Sequence, residues 1–321
     1  MHDRERPRTY GSLPPEEALS LLGNEVRATI LQTLSEARGG EGPPPVLSFS
    51  DLRERADVDV DSSRFNYHLQ ELVGPYVERI EGDPGDEYDD RPVPEMAGWP
   101  GEGYRLTPEG TTLVRTVRAW TVAGDATRAP FPVGQDCHHC GAPLSARYEN
   151  AIFAVRCPDC GYLYDYNLTP PGVLDDDPEA VLAQVAEYNR HVRLGFARGV
   201  CPYCGGDVDA SIQNPAETGY PRGDLREVLV RRGCGHCGNK DNLTVGELLL
   251  RDAGLIAFCR ERGLDVTTTP IWELAFAATD RHTTVRSTDP WEVAVAVELG
   301  GDRLELVVDE DLDVIERNRA G

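Results

Sequence analysis

Residues 62–73 read SSRFNYHLQELV. Phe65, Leu69 and Leu72 recur at the spacing of one helical face, so the stretch predicts an amphipathic helix with those three side chains turned into a core. Ser62, Ser63, Arg64, Asn66, Tyr67, His68 and Gln70 are read as its polar face, rich in groups able to bond base edges and phosphates. Glu71 is the only carboxylate in the stretch, whereas a merely solvated face in so acidic a chain should carry more. A solvated helix used for protein contact is the alternative reading.

The segments on either side supply the rest of a domain. Upstream, ALSLLGNEVRATILQTLSEA (18–37) predicts a helical block interrupted near Gly23-Asn24, with Val26, Ile30, Leu31 and Leu34 at helical spacing in its second half. GGEGPPPVLS (39–48) reads as a loop, and Ser48-x-x-Asp51 opens a short helix over DLRERADV. Downstream, YVERI (76–80) and GYRL (103–106) predict strands flanking a long acidic loop. Arg79, Arg91 and Arg105 are the cations there with a chance of reaching a phosphate. Thr107-Pro108-Glu109 then starts a closing helix, with threonine as N-cap and proline at the first helical position.

Helix, helix, short helix, turn, helix, strand, strand, helix is the order of a winged helix-turn-helix, whose recognition helix enters the major groove. The residues also resemble the ArsR-like regulators of bacteria and archaea. ALSLLGNEVRATILQTLSEA is similar to that family's opening helices, SRFNYHLQELV to its recognition helix, and GYRLTPEG to the last wing strand running into the closing helix. The resemblance covers about residues 15–125. It implies double-stranded DNA as partner, and a homodimer joined through the domain's first and last helices. Leu113, Val117 and Trp120 are then interface candidates, with burial in the domain's own core as the alternative. Two departures stand out. The wing loop (81–102) is acidic, and DLRERADV lacks the cysteines that metal-sensing members carry before the recognition helix.

Further along, Cys137-x2-Cys140 and Cys157-x2-Cys160 are separated by sixteen residues, which fits zinc-ribbon spacing; Cys201-x2-Cys204 and Cys234-x2-Cys237 repeat the design with twenty-nine. Glycine follows every pair at once (CHHCG, CPDCG, CPYCGG, CGHCG), as a turn bringing backbone amides to thiolates requires. Two structural Zn²⁺ ions, each closed by four thiolates, are expected. Disulfides, an iron–sulfur cluster or a redox switch could use the same thiols, and crossed pairing of the knuckles is an alternative to sequential pairing. His138, His139 and His236 could replace a cysteine but read better as solvated, and Cys259 reads as a buried small hydrophobe.

Asp177-Pro178 opens a helix carrying Val181, Val185, Tyr188 and Val192 and stopped by Gly199. Thr244-x-x-Glu247 opens another, expected to run to about Arg262. Beyond it IWELAFA, TTVRS, WEVAVAVEL and RLELVV alternate like antiparallel strands, with a tight hairpin at Gly300-Gly301. The plan is α+β and multidomain: a loose tail over 1–14, a winged helix-turn-helix DNA-binding domain over 15–128, zinc ribbons over 134–170 and 199–243, a connecting helix over 177–198, and a C-terminal sensing or interaction domain over 244–321.

Composition bears on partners. The 321 residues carry 55 acidic and 32 basic side chains, a net charge of −23, and Lys240 is the only lysine. This resembles proteins of extremely halophilic archaea; an ordinary acidic protein from a GC-rich genome is the alternative. In molar salt the Debye length falls to about 3 Å, so the charge does not exclude DNA. The same salt removes the benefit of counterion release, so affinity must come from hydrogen bonds, shape and dimerisation. No stretch suits a bilayer span or a signal peptide, which points to a cytoplasmic protein without a membrane partner. No phosphate loop, HExxH or GxSxG motif suggests an enzyme. The function expected is sequence-specific transcription regulation. The rivals are a general or architectural factor contacting RNA polymerase through its ribbons, and a zinc-thiolate redox sensor.

Overall fold

The computed structural model describes residues 13–38, 46–80, 102–121, 126–220 and 222–320. Most of the acidic wing loop, with Arg91, lies outside the described residues, as does most of the N-terminal tail. The chain divides into two units, Met1–Thr121 and Val122–Gly321.

In the first unit α1 (Pro15–Leu22) and α2 (Glu25–Ala37) meet at Gly23-Asn24, where the Asn24 side chain accepts from the Arg27 amide. The same capping chemistry starts α3 (Phe49–Ala56) at Ser48, α4 (Ser62–Leu72) at Asp61 and α5 (Pro108–Trp120) at Thr107. Between α4 and α5, β1 (Val77–Ile80) pairs antiparallel with β2 (Gly103–Leu106), and Leu47 adds a bridge to Tyr104 on the other side of β2. Ile30, Leu34, Leu52, Phe65, Leu69, Leu72 and Val114 fill the core. Helix α5 reaches that core only because Gly110 has no side chain: a β-carbon there would stand 2.1 Å from the Tyr76 carbonyl oxygen.

The second unit opens with a four-stranded antiparallel meander, β3 (Arg128–Asp136), β4 (Pro143–Glu149), β5 (Ile152–Arg156) and β6 (Leu163–Leu168). Helix α6 (Pro178–Ala197) follows, capped by Asp177 and stopped just before Gly199, which has φ of +76°. A three-stranded sheet comprises β7 (Val208–Gln213), β8 (Leu229–Cys234) and β9 (Lys240–Leu243), with the short α7 (Pro215–Thr218) between its first two strands. Then come α8 (Val245–Leu249), α9 (Ala253–Arg260), α10 (Ala275–Ala278) and a second meander. Its strands are β10 (Thr283–Thr288), β11 (Trp291–Leu299), β12 (Asp302–Asp309) and β13 (Val314–Ala320). Gly300 and Gly301, both at positive φ, form the two-residue turn between β11 and β12.

Two expectations need correction, and one strand lies beyond them. The helix expected from Thr244 to Arg262 is two helices, because Asp252 turns its carboxylate onto the Leu255 amide and caps a new start. IWELAFA is not a strand: Ile271–Glu273 forms a 3-10 turn and Ala275–Ala278 a helical turn. Every side chain in that run except Glu273 and Ala275 is buried, so its apparent alternation did not report a strand with one wet face. Strand β13 went unread because VIERNRA is almost wholly exposed; it is held at the sheet edge by ion pairs such as Arg317–Asp252 and Arg319–Glu261.

Regions read as separate modules share one core in this unit. Tyr148, Phe153 and Val155 of the first meander, Val181 and Val185 of α6, Val230 of β8, and Trp272, Val295 and Leu306 belong to one buried cluster. Among the described residues no helix is long and apolar enough to cross a membrane.

Candidate metal centres and nucleic-acid interface

Each CxxC pair occupies a turn built the same way four times. The amide of the glycine after the second cysteine donates to the carbonyl of the first: Gly141 to Cys137, Gly161 to Cys157, Gly205 to Cys201 and Gly238 to Cys234, at 2.8–3.1 Å. The first cysteine's own amide donates two residues past the second cysteine, to Ala142, Tyr162, Gly206 and Asn239 respectively. All four glycines lie at φ between 73° and 83°, the left-handed region that a β-carbon disfavours.

The turns close two groups, Cys137, Cys140, Cys157 and Cys160 in one and Cys201, Cys204, Cys234 and Cys237 in the other. Pairing is therefore sequential, not crossed. Sulfur separations are 3.7 Å (Cys137–Cys160) and 3.4 Å (Cys140–Cys157) in the first, 3.6 Å (Cys201–Cys237) and 3.5 Å (Cys204–Cys234) in the second. A disulfide would need about 2 Å. A tetrahedral ion with metal–sulfur bonds of about 2.3 Å would set them about 3.8 Å apart. The donor set and its spacing suit a metal ion in both groups and are compatible with two zinc ions.

Electrostatics agree. Burial opposes ionisation of Cys137, but the Tyr164 hydroxyl and the amides of Cys140 and His139 outweigh it and bring it down to about 7. Burial and the neighbouring thiols push Cys160 up to about 12. Four thiolates this close repel one another until a cation joins them. The knuckle histidines stay outside the groups: His138 Nε2 lies 3.2 Å from the Trp272 carbonyl oxygen, and His139 stacks on Tyr162. Cys259 is fully buried in α9, its thiol pushed up to about 11 by burial.

On α4 the outward positions are Ser62, Ser63, Arg64, Asn66, Tyr67 and Gln70, and Tyr67 is 59% exposed. Gln70 Nε2 reaches Asn66 Oδ1 at 3.5 Å, tying two amides into one surface. His68 differs from the expectation. It is buried with Phe65, Leu69 and Leu72, its Nδ1 has no hydrogen-bond partner, and its ring meets Tyr67 edge-on. Burial, with Arg27 and Arg64 nearby, keeps its pKa below the usual imidazole value. The spacing 65, 68, 69, 72 is itself a helical face and carried the signal. Arg105 is likewise buried on β2 and paired with Glu78, whereas Arg79 is exposed on β1.

One cluster has no counterpart in the sequence reading. Asp165 on β6, with no exposed side-chain surface, accepts from Arg193 on α6 at 2.5 Å and from Asn189 at 3.1 Å. Arg193 also meets Glu247 on α8 at 2.9 Å, and Arg232 on β8 donates to Asp241 on β9 at 2.6 Å. Burial lowers the Arg193 pKa, but Asp165 and Glu247 reverse that and raise it. In a chain with 55 carboxylates, no local spacing marks these residues out.

The fold and its sites define an α+β protein with two tetracysteine groups positioned to hold metal ions. The chain belongs to the family described as Domain of unknown function (DUF7351), whose model matches residues 134–314. Residues 15–117 match a second family model, Domain of unknown function (DUF7347). The first match runs unbroken through both cysteine groups and most of the C-terminal meander, the extent of the shared core. No curated protein and no solved structure matches the chain.

Proposed function

We propose that the protein is a cytoplasmic, salt-adapted transcription regulator that binds double-stranded DNA as a homodimer and carries two structural zinc ions. In this reading the first unit is an ArsR-like winged helix-turn-helix, with α4 in the major groove and Arg79 on the wing near a phosphate. The observation that carries it is the outward face of α4, where Ser62, Ser63, Arg64, Asn66, Tyr67 and Gln70 offer donors and acceptors and no carboxylate is fully exposed. His68 supports the helix from beneath, and Arg105 sets the wing through Glu78.

Selection of binding sites from random duplexes in molar KCl, followed by fluorescence anisotropy on the winning sequence, tests this reading. Arg64→Ala and Asn66→Ala should each weaken the selected site about 10- to 100-fold, as loss of a base contact does, without lowering thermal stability. Unchanged isotherms would remove α4 from the interface. His68→Ala should instead lower stability, by leaving a hole beside Leu69 and Leu72.

Dimerisation through α1 and α5 is supported by apolar side chains left outside: Val117 on α5 is 49% exposed and Leu19 on α1 69%. Leu113 packs partly on the core and Trp120 is half-buried. Val117→Glu is expected to yield a monomer in sedimentation equilibrium with an unaltered melting curve. A persistent dimer would place the interface elsewhere.

A further inference from the structure

A cavity of about 200 Å³ lies in the second unit between α6, the α8–α9 junction and the segment leading to α10. Leu194, Ala197, Leu250, Ile256, Val266 and Ile271 give it an apolar lining. In a protein of net charge −23, the charged side chains around that lining are four arginines, Arg190, Arg193, Arg198 and Arg251, against one carboxylate, Glu247.

Two of the arginines are already neutralised. Arg190 pairs with Glu187, and Arg193 with Asp165 and Glu247. Glu247 is itself occupied, by Arg193 and by the Thr244 amide. The other two are different. Arg251 is half-buried and, among the described residues, donates only to backbone carbonyls, those of Ala197 and Leu312. Arg198 is exposed at the end of α6 and, among the described residues, has no side-chain partner. Among the described residues neither forms an ion pair, although carboxylates outnumber basic groups 55 to 32 in the chain and Asp252 and Asp313 border the adjoining recess. Arg156, Arg231 and Arg281 of the same unit also lack an acid partner among the described residues, so what sets Arg198 and Arg251 apart is that both border the same apolar cavity. Two guanidinium groups without a carboxylate ion pair, bordering an apolar cavity, form a receptor for an anion with a hydrophobic tail.

We propose that this cavity binds a small apolar monocarboxylate, with its carboxylate against Arg198 and Arg251 and its hydrocarbon part on the Leu194–Ile256–Ile271 lining. A 150 Å³ apolar cavity holds a benzene ring, so 200 Å³ accommodates about eight apolar heavy atoms. That is the size of an aromatic or medium-chain acid. The carboxylate lies at the rim, where planar guanidinium groups can grip it bidentately. The inference concerns binding alone and stands whether or not the first unit reads DNA.

Isothermal titration calorimetry on the full metal-loaded chain, with phenylacetate and octanoate as probes, tests it. One of these acids should bind saturably with one site per chain, and its neutral amide about tenfold more weakly or not at all. Arg198→Gln should weaken the acid several-fold and leave the melting curve unchanged, since among the described residues the Arg198 side chain makes no hydrogen bond or ion pair and the backbone bonds that cap α6 are kept. Arg251→Gln should weaken it further, and its fold is checked by metal content. Leu194→Trp, which fills the cavity from its exposed rim, should abolish binding. Equal affinity for acid and amide would overturn the proposal by showing a merely apolar hole. So would no saturable heat from either acid at millimolar concentration, or an Arg198→Gln protein that binds as tightly as the parent.

Discussion

Cys157→Ser is expected to leave the protein with one tightly bound metal ion in place of two and to melt the region around β3–β6. The argument begins with the four sulfurs, which at 3.4–3.7 Å apart have no reason to stay together without a cation. In isolated zinc-finger peptides the free energy of structural metal binding, about 10–16 kcal/mol, is folding free energy. That is comparable to the whole stability of a domain, about 5–15 kcal/mol. Cys157 is also buried, beside Tyr148 and Phe153 in the common core, so loosening its knuckle opens the sheet that supplies those aromatic side chains. Atomic-emission counting of zinc together with near-ultraviolet circular dichroism decides the matter. Two ions retained in the variant would refute the grouping of Cys157 with Cys137, Cys140 and Cys160.

Arg193→Ala carries the next largest expected effect, a loss of about 3–5 kcal/mol in a urea melt. Asp165 has no exposed side-chain surface and would lose its only cation among the described residues, while Glu247, almost as buried, would lose its ion pair. A carboxylate stranded at low dielectric is far more costly than the pair it came from. Adding Asp165→Asn should recover part of the loss, because Asn189 and Thr169 still line the site and a neutral amide needs no counter-ion. A single-variant loss under about 1 kcal/mol would mean that the network is solvated like a surface pair.

Features set by a few neighbouring residues were legible in the sequence. The knuckles are local: two cysteines, a glycine at positive φ and two backbone bonds, all within six residues. The caps at Ser48, Thr107, Asp177 and Thr244 are local too, as is the Gly300-Gly301 turn. What escaped depends on distant partners. The break at Asp252 is fixed partly by Arg317, sixty-five residues away. The edge strand β13 is specified by charge pairing, not apolar alternation. The turn of backbone over 271–278 buries all but Glu273 and Ala275, which erases the period that would reveal it. The buried Asp165–Arg193–Glu247 cluster joins three elements and has no spacing rule. His68 is the exception, since its position on the apolar face followed from helical arithmetic alone.

The shared core of the second unit sets a timetable for the nascent chain. Phe131 and Val155 end up in one cluster with Val295 and Val308, so the early sheet cannot be fully covered until the last strands leave the ribosome. At about 5–20 residues per second, the interval between Phe131 and Val308 lasts roughly 10–35 s. Through that time the apolar side chains of β4 and β5 are open to chaperones and to other unfinished chains. The first four thiols have all emerged long before the interval ends, and they can capture their ion while the rest of the polypeptide is still being made.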